Sequence, residues 1–199
     1  MSTLGEKGAG PGGGLSRVVV GFTGASGAAY GVRLLQALRE LGMETHLVIS
    51  EWGREVLSRE TGMAVEEVHA LACRAWEPGD LRAPLSSGSF LTRGMVVVPC
   101  SMRTLAAIAH GCSHNLIARA ADVTLKEGRK LILVPRETPL STVHLENMLS
   151  LARAGACLLP AMPAFYPQPR TIADLVDHLV ARILDHLGLE HSLGYRWGD

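Results

Sequence analysis

Short apolar runs alternate along this chain with longer segments whose apolar residues recur every three or four positions, and glycine or proline closes most of them. That alternation predicts an α/β fold, a doubly wound parallel sheet with helices on both faces. The runs themselves support a parallel sheet. They are apolar nearly throughout, as strands buried on both faces must be, instead of alternating polar and apolar.

Arg17–Phe22 is the first such run, bounded by Thr23-Gly24. A helix follows, with Gly31, Leu34, Leu35, Leu38 and Leu41 on one stripe and Gly42 as its stop. Residues 45–49 read as the second strand and 51–59 as a helix. Residues 63–93 are the least patterned, with a short helix at 65–75 and then a loop rich in proline, glycine and serine. Residues 95–99 form the next strand, 101–109 and 115–125 two helices, and Lys130–Pro135 another strand. A helix at 141–154 stops at Gly155, a strand covers 156–159, and the last helix carries an apolar stripe from Ile172 to Leu187 before Gly188. The whole is a Rossmann- or flavodoxin-like three-layer sandwich, in which ligands bind beyond the carboxyl ends of the strands.

The chain has 199 residues, enough for one domain with a sizeable core. Residues 1–16 are glycine-rich and aperiodic and read as a flexible tail, which leaves residues 17–199 as a single domain. Nineteen basic residues balance nineteen acidic ones, so no global field draws nucleic acid or an anionic membrane. No apolar run is long enough to span a bilayer. The four cysteines form no C-x-x-C pair and no signal peptide precedes them, which points to a reducing compartment, the cytoplasm.

Function then narrows to the loops that leave the strands. Thr23-Gly24-Ala25-Ser26-Gly27 reads equally well as a turn that lets a ligand approach the backbone and as a tight turn with Ser26 as helix N-cap. The spacing G-x-G-x-x-G is absent. Ser50 is a helix cap or a ligand contact. Cys100-Ser101-Met102-Arg103-Thr104 offers hydroxyls, a cation and free N–H groups to a phosphate, or is a capped helix with a solvated arginine. Cys100 reads as a small buried residue, since no base lies near it in sequence. Arg136-Glu137, held between Pro135 and Pro139 after an apolar strand, is suited to proton transfer in a cleft. Tyr166, in a proline-stiffened loop, is either part of a pocket wall or of a packed loop that merely crosses the sheet edge. Arg182 is either a surface arginine or a phosphate ligand. The eight histidines lack any zinc-ligand spacing, and no metal is expected.

These segments together resemble the UbiX flavin prenyltransferase family, within the wider group of flavin-containing cysteine decarboxylase-like proteins. The resemblance rests on Thr23-Gly24-Ala25-Ser26-Gly27-Ala28, Ser87-Gly88-Ser89-Phe90, Pro99-Cys100-Ser101-Met102 and Asn115-Leu116-Ile117 with Arg119-Ala120-Ala121-Asp122-Val123. It continues through Val134-Pro135-Arg136-Glu137-Thr138-Pro139-Leu140-Ser141, His144-Leu145-Glu146-Asn147-Met148, Phe165-Tyr166 and Arg196-Trp197-Gly198. It implies that Gly24, Ala25, Ser26, Ser50, Ser101, Met102, Arg103, Thr104 and Arg136 hold flavin mononucleotide (FMN). Tyr166, Arg182, Lys126 and Arg119 would bind dimethylallyl phosphate, across a subunit interface. Glu137 would be the main acid/base and Glu60 a second carboxylate near the flavin.

The implied reaction joins a prenyl group to N5 and C6 of reduced FMN, and the prenylated FMN would pass to a UbiD-type decarboxylase. A homo-oligomer, as large as a dodecamer, is implied too. The chain departs from the family pattern in Arg82-Ala83-Pro84-Leu85-Ser86, which bears on the prenyl pocket, and at His114, where aspartate is usual and a surface or interface role is expected. Two rivals share the fold: a flavin-dependent cysteine-type decarboxylase, whose early histidine residues 50–62 lack, and a non-enzymatic flavin carrier, which has no need of Arg136-Glu137 or Tyr166 with Arg182.

Overall fold

A computed structural model describes residues 16–194. The tail read at residues 1–16, Ser16 apart, and the motif Arg196-Trp197-Gly198 lie outside the described residues. The elements in order are β1 (Arg17–Phe22), α1 (Ala28–Glu40), β2 (Glu44–Ile49), α2 (Glu51–Thr61), α3 (Val65–His69) and β3 (Arg74–Trp76). There follow β4 (Gly94–Cys100), α4 (Met102–Ala109), α5 (Leu116–Lys126), β5 (Lys130–Pro135), α6 (Thr142–Arg153), β6 (Cys157–Leu158) and α7 (Ile172–His186).

All the strands pair in parallel, in the order β3-β2-β1-β4-β5-β6. The winding therefore reverses between β1 and β4, and a crevice opens beyond their carboxyl ends. Successive β1 residues serve opposite cores. Val18, Val20 and Phe22 pack with α1 and α7, whereas Val19 packs with α4, α5 and α6. Gly21 leaves room for Ile117, whose Cγ2 would lie 3.1 Å from any Cβ placed there. On the other face α1 is drawn close at Gly31, where a Cβ would stand 2.7 Å from the Val98 carbonyl.

Two expectations need correcting. The helix read at 65–75 ends at His69, and Arg74–Trp76 instead forms the edge strand β3. No local apolar run marks that strand. It is held by Trp76, whose Nε1 donates to Nδ1 of the buried His46 at 3.1 Å; His46 Nε2 in turn meets Glu44 at 3.0 Å. Ser26 is not the N-cap of α1 either. Gly27, in the left-handed region at φ 115°, takes that place without a capping side chain, and the donors it leaves are met from α2.

Candidate active site

Thr23 fixes the mouth of the crevice. Its hydroxyl donates to the Pro99 carbonyl at 2.8 Å and accepts from Ser101 N–H at 2.7 Å, so one side chain ties the ends of β1 and β4 together. Ser50 ends β2 and caps α2 by accepting from Gly53 N–H at 3.0 Å. Ser101 caps α4 by accepting from Thr104 N–H at 3.3 Å. None of the described residues accepts from the N–H groups of Met102 and Arg103, which open α4 toward the crevice. A helix start with such donors favours an anion.

The resulting cavity measures about 520 Å³, within the range of small-ligand sites. Gly24, Ser50, Ser101, Arg103 and Thr104 line it, as the sequence led us to expect. Glu51, at the strand-to-helix junction with Ser50, and His114 with Asn115 before α5 complete the lining together with Trp52 from α2 and Pro78-Gly79 after β3, and these last three had not been expected there. His114 is therefore part of the crevice wall and not merely a surface substitution. Trp52 is 66% exposed although large and apolar, and its Cβ would lie 2.5 Å from any Cβ on Gly24. That close approach explains why residue 24 is glycine.

Two expected contacts take a different form. The Met102 side chain is buried in the core beneath α4, which leaves its main-chain N–H as the group it can offer a ligand. Ala25 is buried as well, and its N–H is donated to the Thr23 carbonyl at 2.9 Å, so it shapes the loop and offers no donor.

A second cluster sits at the start of α1. The carboxylate of Glu60, from the last turn of α2, accepts from Gly27 N–H at 2.9 Å and from Ala28 N–H at 2.8 Å. Burial pushes its pKa up, but hydrogen bonds from Ser26, Gly27 and Ala28, with the charge of Arg136, outweigh burial and hold it below the ordinary value. Ser26 and Glu60 thus meet within reach of the Arg136 charge, although the three are far apart in sequence. Glu137 follows Arg136 on the exposed β5–α6 loop, where its Oε1 accepts from Thr138 N–H at 3.0 Å.

The residues expected to hold a prenyl phosphate do not gather there within one chain. Tyr166 packs edge-on against His178, with ring centroids 5.7 Å apart. Arg182 pairs with Asp185 at 2.9 Å. Arg119 donates to the Ser86 carbonyl at 3.2 Å and pairs with Asp122 at 2.9 Å, and Lys126 pairs with Glu127. Because α5 runs from the crevice to the opposite end of the sheet, Lys126 lies about 16 Å along the helix from Asn115. Arg182 is similarly displaced, about 15 Å down α7 from Ile172.

Cys100 is fully buried, and burial pushes its thiol up to about 12, so it is no thiolate nucleophile near neutral pH. Among the described residues no cluster of histidine, cysteine, aspartate and glutamate could hold a metal ion. No described helix is long and apolar enough to cross a membrane.

Comparison with known proteins follows the same lines. A family model described as Flavoprotein matches residues 14–184. A probable UbiX-like flavin prenyltransferase of Streptomyces sp. (strain D7) is 60% identical over 182 residues, 91% of each chain. Among solved structures, AnUbiX (PadA1) in complex with FMN and dimethylallyl pyrophosphate superposes with a TM-score of 0.91 at 51% identity, covering 92% of this chain and 97% of that one. A dodecameric FMN-dependent UbiX-like decarboxylase from Escherichia coli O157:H7 gives 0.90 at 56% identity, covering 92% and 100%.

Proposed function

Because the chain belongs to the flavoprotein family, and within it to the UbiX-like flavin prenyltransferases, we propose that it joins a dimethylallyl group to reduced FMN. The observation that carries this reading is the crevice at the β1/β4 reversal, lined by hydroxyls, one arginine and the opening N–H groups of α4.

The crevice suits FMN chemically. Ser50, Ser101, Thr104 and Arg103, with the Met102 and Arg103 N–H groups, supply donors for a phosphomonoester and a polyol chain. Gly24 and Trp52 wall the site without filling it. When bound, the reduced flavin supplies the nucleophilic N5 and C6 positions, so the protein needs no nucleophile of its own. Cys100, buried and protonated, agrees with that division of labour.

The protein's part is to stabilise charge and move protons. An allylic phosphate ionises to a delocalised cation and an anion, and each end needs its own partner away from water. Glu137 serves as the acid/base in this reading, with Arg136 next to it in the chain to steer its charge. Glu60, already ionised at the start of α1, adds a fixed negative charge near Ser26 and Arg136. Tyr166, Arg182, Lys126 and Arg119 hold the prenyl phosphate from more than one subunit, because α5 and α7 carry Lys126 and Arg182 away from the crevice of their own chain.

Exposed apolar side chains support a homo-oligomer. Val143, Leu145 and Leu149 on α6, with Met162 and Phe165 after β6, face outward, Phe165 being 69% exposed. A dodecamer, as described for the Escherichia coli protein, is the assembly we infer. The prenylated FMN would serve a separate UbiD-type decarboxylase, and the setting would be the cytoplasm.

The test is direct. The protein is incubated with reduced FMN and dimethylallyl phosphate, and in parallel with the pyrophosphate, and the released flavin is weighed by mass spectrometry. Flavin carrying one added five-carbon unit is expected. Unaltered flavin with both donors sinks the proposal and leaves the carrier and decarboxylase readings.

A further inference from the structure

His114 ends the loop between α4 and α5 on the crevice wall, next to Asn115. The hydrogen bonds around it fix its tautomer. Asn115 caps α5 through Oδ1, which accepts from Ala118 N–H at 2.9 Å, so its amide nitrogen is the atom turned toward His114. That nitrogen can only donate, so His114 Nε2, 3.3 Å away, is the unprotonated ring atom. Nδ1 lies 3.1 Å from the Cys112 carbonyl, which only accepts, and therefore carries the proton. Both ring nitrogens are thus engaged, Nδ1 as donor and Nε2 as acceptor.

A phosphate in the crevice reverses that preference. Protonation at Nε2 sets two donors against each other across the Asn115 contact, so the charged ring must turn to another acceptor. A phosphate oxygen is the acceptor that a bound ligand adds to this wall, and a charge-assisted hydrogen bond to it is stronger than the neutral one given up. The charged side chains that face His114 across the crevice are Arg103 from α4, which opposes protonation, and Glu51 from α2, which favours it. His110 and Cys112 are the titratable neighbours on its own loop. The Cys112 thiol is directed at the His110 carbonyl at 3.8 Å, and His110 Nε2 meets Asn147 at 2.9 Å. Facing charges of opposite sign offset one another, and the incoming phosphate tips the balance.

We propose that His114 is a specificity-determining residue for the FMN phosphate, taking up a proton as the phosphate binds and so favouring phosphorylated over unphosphorylated flavin. This rests on the reading that the crevice takes FMN. Isothermal titration of the full chain with FMN, in two buffers of different ionisation enthalpy at neutral pH, counts the protons taken up per site. The wild type should take up more than His114→Gln or His114→Asn, by a large fraction of one proton. Both variants should bind FMN about tenfold more weakly than the wild type at slightly acidic pH, with the gap closing in mild alkali. Riboflavin, which lacks the phosphate, should bind all three alike. Comparison at each pH cancels the titration of the free FMN phosphate, which is common to all three proteins. Equal proton counts in the wild type and both variants, or an equal loss of riboflavin binding, overturn the inference while leaving FMN binding intact. A wild type that binds no FMN overturns the reading of the crevice and this inference with it.

Discussion

The carboxylate of Glu60 accepts the N–H of Ala28 at 2.8 Å, so the last turn of α2 closes the first turn of α1. A negative side chain there complements the positive end of the helix. Glu60→Gln keeps an oxygen that can accept but loses the charge, and should lower stability near neutral pH by about 0.5–1 kcal/mol. Because the folded-state pKa is depressed, the charge stabilises the protein above the unfolded value and that contribution is lost as pH falls through the folded one. Thermal melts of wild type and variant should therefore converge in acid, below the ordinary carboxylate value of 4.5. Parallel melting curves down to strong acid would contradict the electrostatic account.

Gly24 faces Trp52 so closely that a Cβ would sit 2.5 Å from the indole-bearing Cβ. Gly24→Ala should destabilise by about 1–3 kcal/mol and weaken FMN binding, as overpacking does. The clash is with Cβ and not the ring. Trp52→Gly should therefore rescue Gly24→Ala, whereas Trp52→Ala should not. A double-mutant cycle on melting temperature distinguishes the two.

Glu137 follows Arg136 on the exposed β5–α6 loop, and its carboxylate accepts the N–H of the next residue. Glu137→Gln should leave the FMN dissociation constant within about twofold and slow prenyl transfer by about a hundredfold or more. Equal losses of flavin binding and of turnover would argue for a binding role instead.

Lys126 and Arg182 each lie along a helix that leads away from the crevice of their own chain. Lys126→Ala and Arg182→Ala should each raise KM for the prenyl phosphate with little change in FMN affinity. At low prenyl phosphate, oligomers reassembled from a mixture of the two impaired variants should regain a fraction of wild-type activity, because some sites then draw both residues from intact partners. No recovery on mixing would place both residues on one subunit.

Much of the fold could be read from the chain because its signals are local. Arg17–Phe22 and Lys130–Pro135 are unbroken apolar runs with sharp ends, and the structure gives them those bounds. Arg74–Trp76 was missed because its strand character comes from parallel pairing with residues 46–48 of β2, distant in sequence, to which the Trp76–His46 bond adds. The site divides in the same way. Ser50, Ser101 and Thr104 sit where strands end and helices begin, positions that periodicity reveals. Glu60 reaches α1 from a distant helix, and its capping of Gly27 displaced the local candidate, Ser26. Trp52, Pro78 and His114 enter the crevice only through tertiary packing, which no short motif encodes.

The Thr23 hydroxyl, bridging Pro99 and Ser101, has a consequence for how the site meets its ligand. A crevice whose width is set by a bond between two core strands is already shaped before anything arrives. Little ordering entropy is then lost on entry, and encounter rather than rearrangement governs the speed of loading. For an enzyme that must admit one flavin and release another, a gap of constant width spares the ordering cost at every loading.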